Sequence, residues 1–169
     1  MLFSELKQSL QNGIMPIYLL QGEDSFLQRT ALAMLKKHSL LEPDINLTTF
    51  SGKDLKDGFS SLVSAVRSFP FISEKRFVVI NEFYPTQKDL KSKDLISVLS
   101  GENDTTVVII INEKASPSLS KMQSITVVDC SKPSEAFVLN YIKSLAQKSG
   151  VTITQDGIET LVNYTAGDL

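Results

Sequence analysis

The sequence has one cysteine, Cys130, one histidine, His38, and no tryptophan. A single thiol excludes a disulfide framework and points to a reducing compartment or to no redox role. A lone His and a lone Cys far apart also exclude a zinc pattern, which needs several such ligands at short spacing. Eight glycines and six prolines in 169 residues are too few for a fibrous repeat. No charge of one sign dominates. The 17 basic and 19 acidic side chains leave a net charge of -2. That balance excludes strong, charge-driven nucleic-acid binding by this chain alone, although not contact inside an assembly. No run approaches the roughly 18 apolar residues of a membrane span. The opening Met1-Leu2-Phe3-Ser4-Glu5-Leu6-Lys7 lacks a basic region followed by an apolar one, so it does not read as a signal peptide. The expected compartment is the cytoplasm, with no membrane partner.

What is present describes a globular protein: 42% apolar and 21% charged residues, enough chain for a large core. A helical spacing of Leu2, Phe3, Leu6 and Leu10 ends at Asn12-Gly13. The apolar run 14–21 reads as a strand covered on both faces. Asp24-Ser25 caps a helix to about His38, with Phe26, Leu27, Leu32, Met34 and Leu35 as core candidates. The alternation repeats: strand 47–50, helix 54–66, strand 76–81, helix 88–100, strand 105–111, a short helix 116–122 opened by Pro117, and strand 125–128. Five short β-rich runs separated by helices predict an α/β fold, a parallel sheet with helices on both faces and right-handed crossovers. After Cys130 the pattern changes. Ser131-Lys132-Pro133-Ser134 reads as a linker, followed by helices over 134–149 and 155–165. Two helices do not close a core, and Ala166-Gly167-Asp168-Leu169 looks like the start of a third. The expectation is a fragment of a longer protein.

The first strand runs through a Gly-containing turn into a helix, the place where nucleotide-binding α/β proteins keep a phosphate loop. That loop needs G-x-x-x-x-G-K-[ST]. Gly22 stands first, but Leu27 takes the second glycine position, Gln28 replaces the lysine, and Arg29 replaces the magnesium-binding hydroxyl. Glu23 and Asp24 add negative charge where a triphosphate would lie. The Asp that holds magnesium at a neighbouring strand end is Asn81 here, and Glu82 follows where a water-activating acid would be. The preferred reading of Glu82 is a solvated acid at a strand end. His38 beside Lys36 and Lys37 suits a helix C-terminus rather than a metal or a base. Cys130 reads as a buried structural thiol. No serine sits in G-x-S-x-G. No catalytic residue, metal site or cofactor is expected.

One segment breaks the pattern. Between helix 54–66 and strand 76–81, where a polar turn is expected, stand four bulky residues, Phe69-Pro70-Phe71-Ile72. Two readings remain open. Phe69 and Ile72 cap the sheet core, or at least one aromatic projects as an anchor for a partner's pocket.

The order and spacing of several motifs now become specific. They are Pro16–Leu27 (PIYLLQGEDSFL), Phe50-Ser51-Gly52, Ser68–Ile80 (SFPFISEKRFVVI), Thr105–Ile111 (TTVVIII) and the closing Ala166–Leu169. With these the chain resembles the N-terminal part of the delta subunits of bacterial DNA polymerase III. The resemblance implies an AAA+-like five-stranded parallel sheet over 1–132, with a degenerate phosphate loop and the clamp-binding surface. A partial α-helical lid domain would follow over 133–169, cut short, and the family's C-terminal collar domain would be absent. It also implies a non-catalytic clamp-loader subunit without intrinsic ATPase, which binds the ring-shaped sliding clamp (beta subunit) and stabilises its open interface during DNA replication. Its other implied partners are the delta-prime and gamma or tau subunits, through regions mostly outside this chain, with DNA met only indirectly in the assembled loader. The family's hydrophobic plug is an apolar residue followed by Phe, by position Pro70-Phe71, flanked by Phe69 and Ile72. Pro70 departs from the longer aliphatic of some members, which leaves Phe71 the firmer assignment. The alternative is a nucleotide-binding AAA+ ATPase or switch with a non-standard loop. A blander one is a structural α/β domain whose FPFI cluster is core.

Overall fold

Apolar runs form the three central strands of the sheet, because their side chains find cover on both faces. The computed structural model describes residues 1–154, 156–158 and 160, except the side chains of Pro43 and Asp44. The strands are β1 (Ile17–Gln21), β2 (Leu47–Ser51), β3 (Arg76–Asn81), β4 (Thr106–Asn112) and β5 (Thr126–Asp129). All pair in parallel, in the order β2-β3-β4-β1-β5. The central register sets Leu19 beside Ile110 and Ile80 beside Ile110. The expected parallel α/β sheet is therefore present.

The helices are α1 (Leu6–Ser9, between two 3-10 turns), α2 (Ser25–Ser39), α3 (Pro43–Asn46), α4 (Ser60–Arg67), α5 (Lys93–Leu99), α6 (Pro117–Ser120) and α7 (Glu135–Lys148). From β1 the chain crosses to the far edge at β2, then works back through β3 and β4 and passes over β1 to β5. Right-handed crossovers then put α2 on one face and α4, α5 and α6 on the other. Burial agrees with this. Ile17, Leu19, Val78, Ile80, Val108 and Ile110 share one core with Leu62 and Val66 of α4, Leu95 and Leu99 of α5, and Leu119 of α6. The alternate positions Tyr18, Leu20, Phe77, Val79, Val107 and Ile109 are buried on the opposite face. That face belongs to α2, which contacts β1 and buries Leu27, Ala31 and Leu35.

Several expected boundaries change. Helix 54–66 is a set of turns over its first half and becomes α4 only at Ser60. Leu55 and Phe59 are buried, but turns carry them, and Gly58, at φ +141°, breaks the helix between them. Helix 88–100 divides into a 3-10 turn (Asp89–Lys91) and α5, and helix 116–122 shortens to α6. The strand expected from residue 14 begins at Ile17. In α2, Phe26, Leu32 and Met34 are half-buried, and Ala31 takes an unexpected core place. The helix α3 was not expected.

The chain forms two compact units, 1–131 and 132–169. In the second, Ser134 caps α7 by accepting from the Phe137 amide at 3.3 Å. Val138 and Ile158 are its buried centre, with Leu139, Ile142 and Ile153 packed around them. Leu145 of α7 is exposed. Most of the helix expected over 155–165, and Ala166–Leu169, lie outside the described residues. Among the described residues no helix is long and apolar enough to cross a membrane.

Candidate functional site

Open parallel sheets bind ligands at the carboxyl ends of strands, where adjacent connections leave in opposite directions. Here that place lies between β1 and β4, from which α2 and α6 depart. The turn after β1 uses its own polar groups there. The Gly22 amide donates to the Asn112 carbonyl at 3.1 Å, and the Asp24 amide to the Cys130 carbonyl at 3.0 Å. The Leu27 amide donates to Asp24 Oδ1 at 2.8 Å, capping α2. The Gln28 amide donates to the Asp24 carbonyl at 3.1 Å. Gly22, at φ +147°, lies so close to Cys130 that a Cβ would collide with that backbone. Gln28, standing for the lysine, points its carboxamide inward and donates to the Gly22 carbonyl at 2.7 Å and the Asn112 carbonyl at 3.1 Å. Leu27 is buried in the core, while Arg29 donates to Ser25 Oγ at 3.2 Å. Four amides of this turn, those of Gly22, Asp24, Leu27 and Gln28, are committed to the chain's own carbonyls and to the Asp24 carboxylate.

The acidic strand end is likewise engaged. Glu82 sits exposed at φ +53°, directly after β3. Oε1 accepts from the Glu113 amide at 2.9 Å and Oε2 from the Tyr84 hydroxyl at 2.8 Å. That hydroxyl accepts from the Lys114 amide at 3.0 Å. Desolvation raises the Tyr84 phenol above its usual range, against the pull of the Lys114 bond. Glu82 is thus an exposed acid at the strand end, as expected, and its carboxylate also braces the loops after β3 and β4. Asn81 is half-buried, and its carbonyl accepts from the Gly52 amide at 2.7 Å. Asn112, fully buried, bonds the Phe83 backbone twice, accepting from its amide at 2.9 Å and donating to its carbonyl at 2.8 Å. Nothing in the sequence marked Asn112 beyond a polar residue closing an apolar strand. Among the described residues, no group of three or more His, Cys, Asp or Glu could hold a metal. His38 is exposed in the last turn of α2 beside Lys36 and Lys37. Cys130 is buried, and desolvation, helped by Asp129 and Asp24, pushes its thiol up to about 12.

The loop after α4 behaves differently. Ser68 ends the helix in extended conformation, its Oγ donating to the Ser64 carbonyl at 2.7 Å. The next residues turn outward: Phe69 is 83% exposed, Phe71 60% and Ile72 75%, with Pro70 half-buried. Phe69 and Ile72 therefore do not cap the core, so that reading is set aside. Ile72 holds φ +51°, an outlier for a β-branched residue that costs about 1–3 kcal/mol. One buried side chain holds this backbone. Asn46, 1% exposed, accepts from the Phe71 amide at 2.7 Å and donates to the Phe71 carbonyl at 2.8 Å. The structure thus brings Phe69, Phe71 and Ile72 together on one exposed loop.

Comparison with known proteins follows the same lines. A family model described as DNA polymerase III, delta subunit, matches residues 18–131. The Bacillus subtilis DNA clamp loader delta protein (YqeN) is similar with a TM-score of 0.75 and 20% identity, over 99% of this chain and 53% of that one. A Thermotoga maritima DNA polymerase III gamma subunit-related protein gives 0.56 at 14% identity, over 86% and 52%. A Thermotoga maritima RuvB variant gives 0.56 at 16%, over 98% and 55%. No curated protein matches. The chain spans about half the length of each of these structures. At these identities the likenesses show the fold, which is AAA+-like. The family model covers well over half of the chain, including the closed turn, the outward loop and both strand ends, and the chain belongs to the DNA polymerase III delta subunit family.

Proposed function

We propose that this chain is the clamp-binding part of a non-catalytic clamp-loader subunit, which docks on the sliding clamp and stabilises its open interface during DNA replication. The observation that carries this reading is the loop of Phe69, Phe71 and Ile72, exposed together on a backbone fixed by a buried Asn46. Exposed apolar clusters of this kind mark interaction sites, and a central aromatic is the usual anchor of such an interface. A binder that prefers the open clamp shifts its population toward opening by its differential affinity.

The other half of the reading is the crevice. Bonds from Gly22, Asp24, Leu27 and Gln28 close the turn that would hold phosphates, which supports a subunit without its own ATPase over a nucleotide-driven switch. ATP would act through partner subunits, the delta-prime and gamma or tau chains of the DNA polymerase III holoenzyme, which control access to the loop. Residues 132–169 would begin the helical lid. DNA would be met only inside the assembled loader, in the cytoplasm.

The test is calorimetric titration of the purified sliding clamp of the same organism with this chain and with Phe71→Ala. Burying a Phe side chain contributes on the order of 2 kcal/mol, so the variant should bind roughly 30-fold more weakly. Its melting curve should stay close to that of the parent, because Phe71 is already 60% exposed. Equal affinity of the two proteins would contradict the proposal.

A further inference from the structure

The Phe71 loop does not stand alone on the surface. The segment between α2 and α3 runs beside it, 25 or more residues earlier in the chain. Leu40 pairs with Lys75 in a parallel bridge, and the Leu41 amide donates to Ser73 Oγ at 3.4 Å. The second donor of the Asn46 carboxamide goes to the Leu41 carbonyl at 2.9 Å. One buried amide thus holds the backbones of Leu41 and Phe71 together, with both of its N–H groups and its oxygen in use. The apolar side chains flanking this knot point outward: Leu41 is 61% exposed and Ile45 53%.

We propose that Leu41 and Ile45 are the second half of the clamp-binding surface, and that Asn46 is the positioning residue joining the two halves. This rests on the reading of Phe71 given above. The occupant is the same sliding clamp, because the two segments are continuous through Asn46 and the Leu40–Lys75 bridge. A partner seated on Phe71 meets Leu41 and Ile45 along the same strip. Asn46 touches no partner itself. It acts by holding Phe71 in the outward conformation that Ile72, in its left-handed geometry, continues.

The experiment titrates the purified clamp with five proteins: the parent, Phe71→Ala, the double variant Leu41→Ser/Ile45→Ser, Asn46→Ala, and Asn46→Ala combined with Phe71→Ala, each with a melting curve. The double variant should weaken binding about tenfold through lost apolar area, with its melting temperature unchanged. Asn46→Ala should weaken binding in the parent background and weaken it by a smaller factor once Phe71 is gone, where it acts only through the rest of the strip, while lowering the melting temperature in both backgrounds. Parent-like affinity of the double variant, with Phe71→Ala impaired, overturns this inference and leaves the Phe71 reading intact. An undiminished affinity loss from Asn46→Ala in the Phe71→Ala background overturns the positioning role. No loss from Phe71→Ala itself overturns both readings.

Discussion

Replacing Gln28 by alanine removes one carboxamide and two hydrogen bonds from the turn after β1, those to the Gly22 carbonyl at 2.7 Å and the Asn112 carbonyl at 3.1 Å. Each is a neutral bond in a part-buried place, worth about 1 kcal/mol net, so the expected loss of stability is about 2 kcal/mol. At ~3 °C per kcal/mol for a domain of this size, the melting temperature should fall by about 6 °C. Urea unfolding followed by circular dichroism should show a lower midpoint with an unchanged slope. Magnesium-ATP belongs in the same assay. A ligand held only by the folded state at ~100 times its Kd adds about 2.7 kcal/mol, a shift of several degrees. No such shift is expected for the parent, for Gln28→Ala or for Gln28→Lys. Restoring the ammonium leaves the amides of Gly22, Asp24 and Leu27 bonded within the chain. A saturable rise with ATP in the parent, or a Gln28→Ala protein as stable as the parent, would refute the reasoning.

Two further outcomes follow from buried groups. Asn112→Leu strips the Phe83 amide and carbonyl of their partner inside the core and should destabilise by roughly 3–5 kcal/mol, read by the same urea assay. The Cys130 thiol, raised from 9.0 to about 12 when folded, binds its proton more tightly than in the unfolded chain. The stability it adds is present below pH ~9 and is lost as pH rises toward 12. Cys130→Ala should flatten that alkaline decline, and alkylation of Cys130 in the parent should be slow at neutral pH and fast in denaturant.

The central strands were legible because a fully covered parallel strand is written as a continuous apolar run, as in Phe77–Ile80 and Val107–Ile110. The loss of the phosphate-binding side chains at Leu27, Gln28 and Arg29 was equally plain. What Gln28 does instead was not, since its partners are main-chain carbonyls, one of them 84 residues away. The start of α4 was misplaced because Leu55 and Phe59 keep helical spacing while turns carry them. Glu82 is exposed as its sequence position suggests, but its partners, Glu113 and Tyr84, were not legible because they depend on how two loops meet. The outward course of Phe69–Ile72 was one of two open readings. The residue that fixes it, Asn46, left no local mark, since its bonds to Phe71 join positions 25 apart.

The claim that Phe71 anchors this chain to the sliding clamp is tested most directly by photocrosslinking. Phe71 is replaced by p-benzoylphenylalanine, and exposed Ile96 of α5 by the same group as a control. The account predicts an efficient covalent adduct with the purified clamp from position 71, mapped to one apolar pocket and suppressed by excess unlabelled parent. An adduct no stronger than that from position 96, or one spread over the clamp without competition, would contradict it.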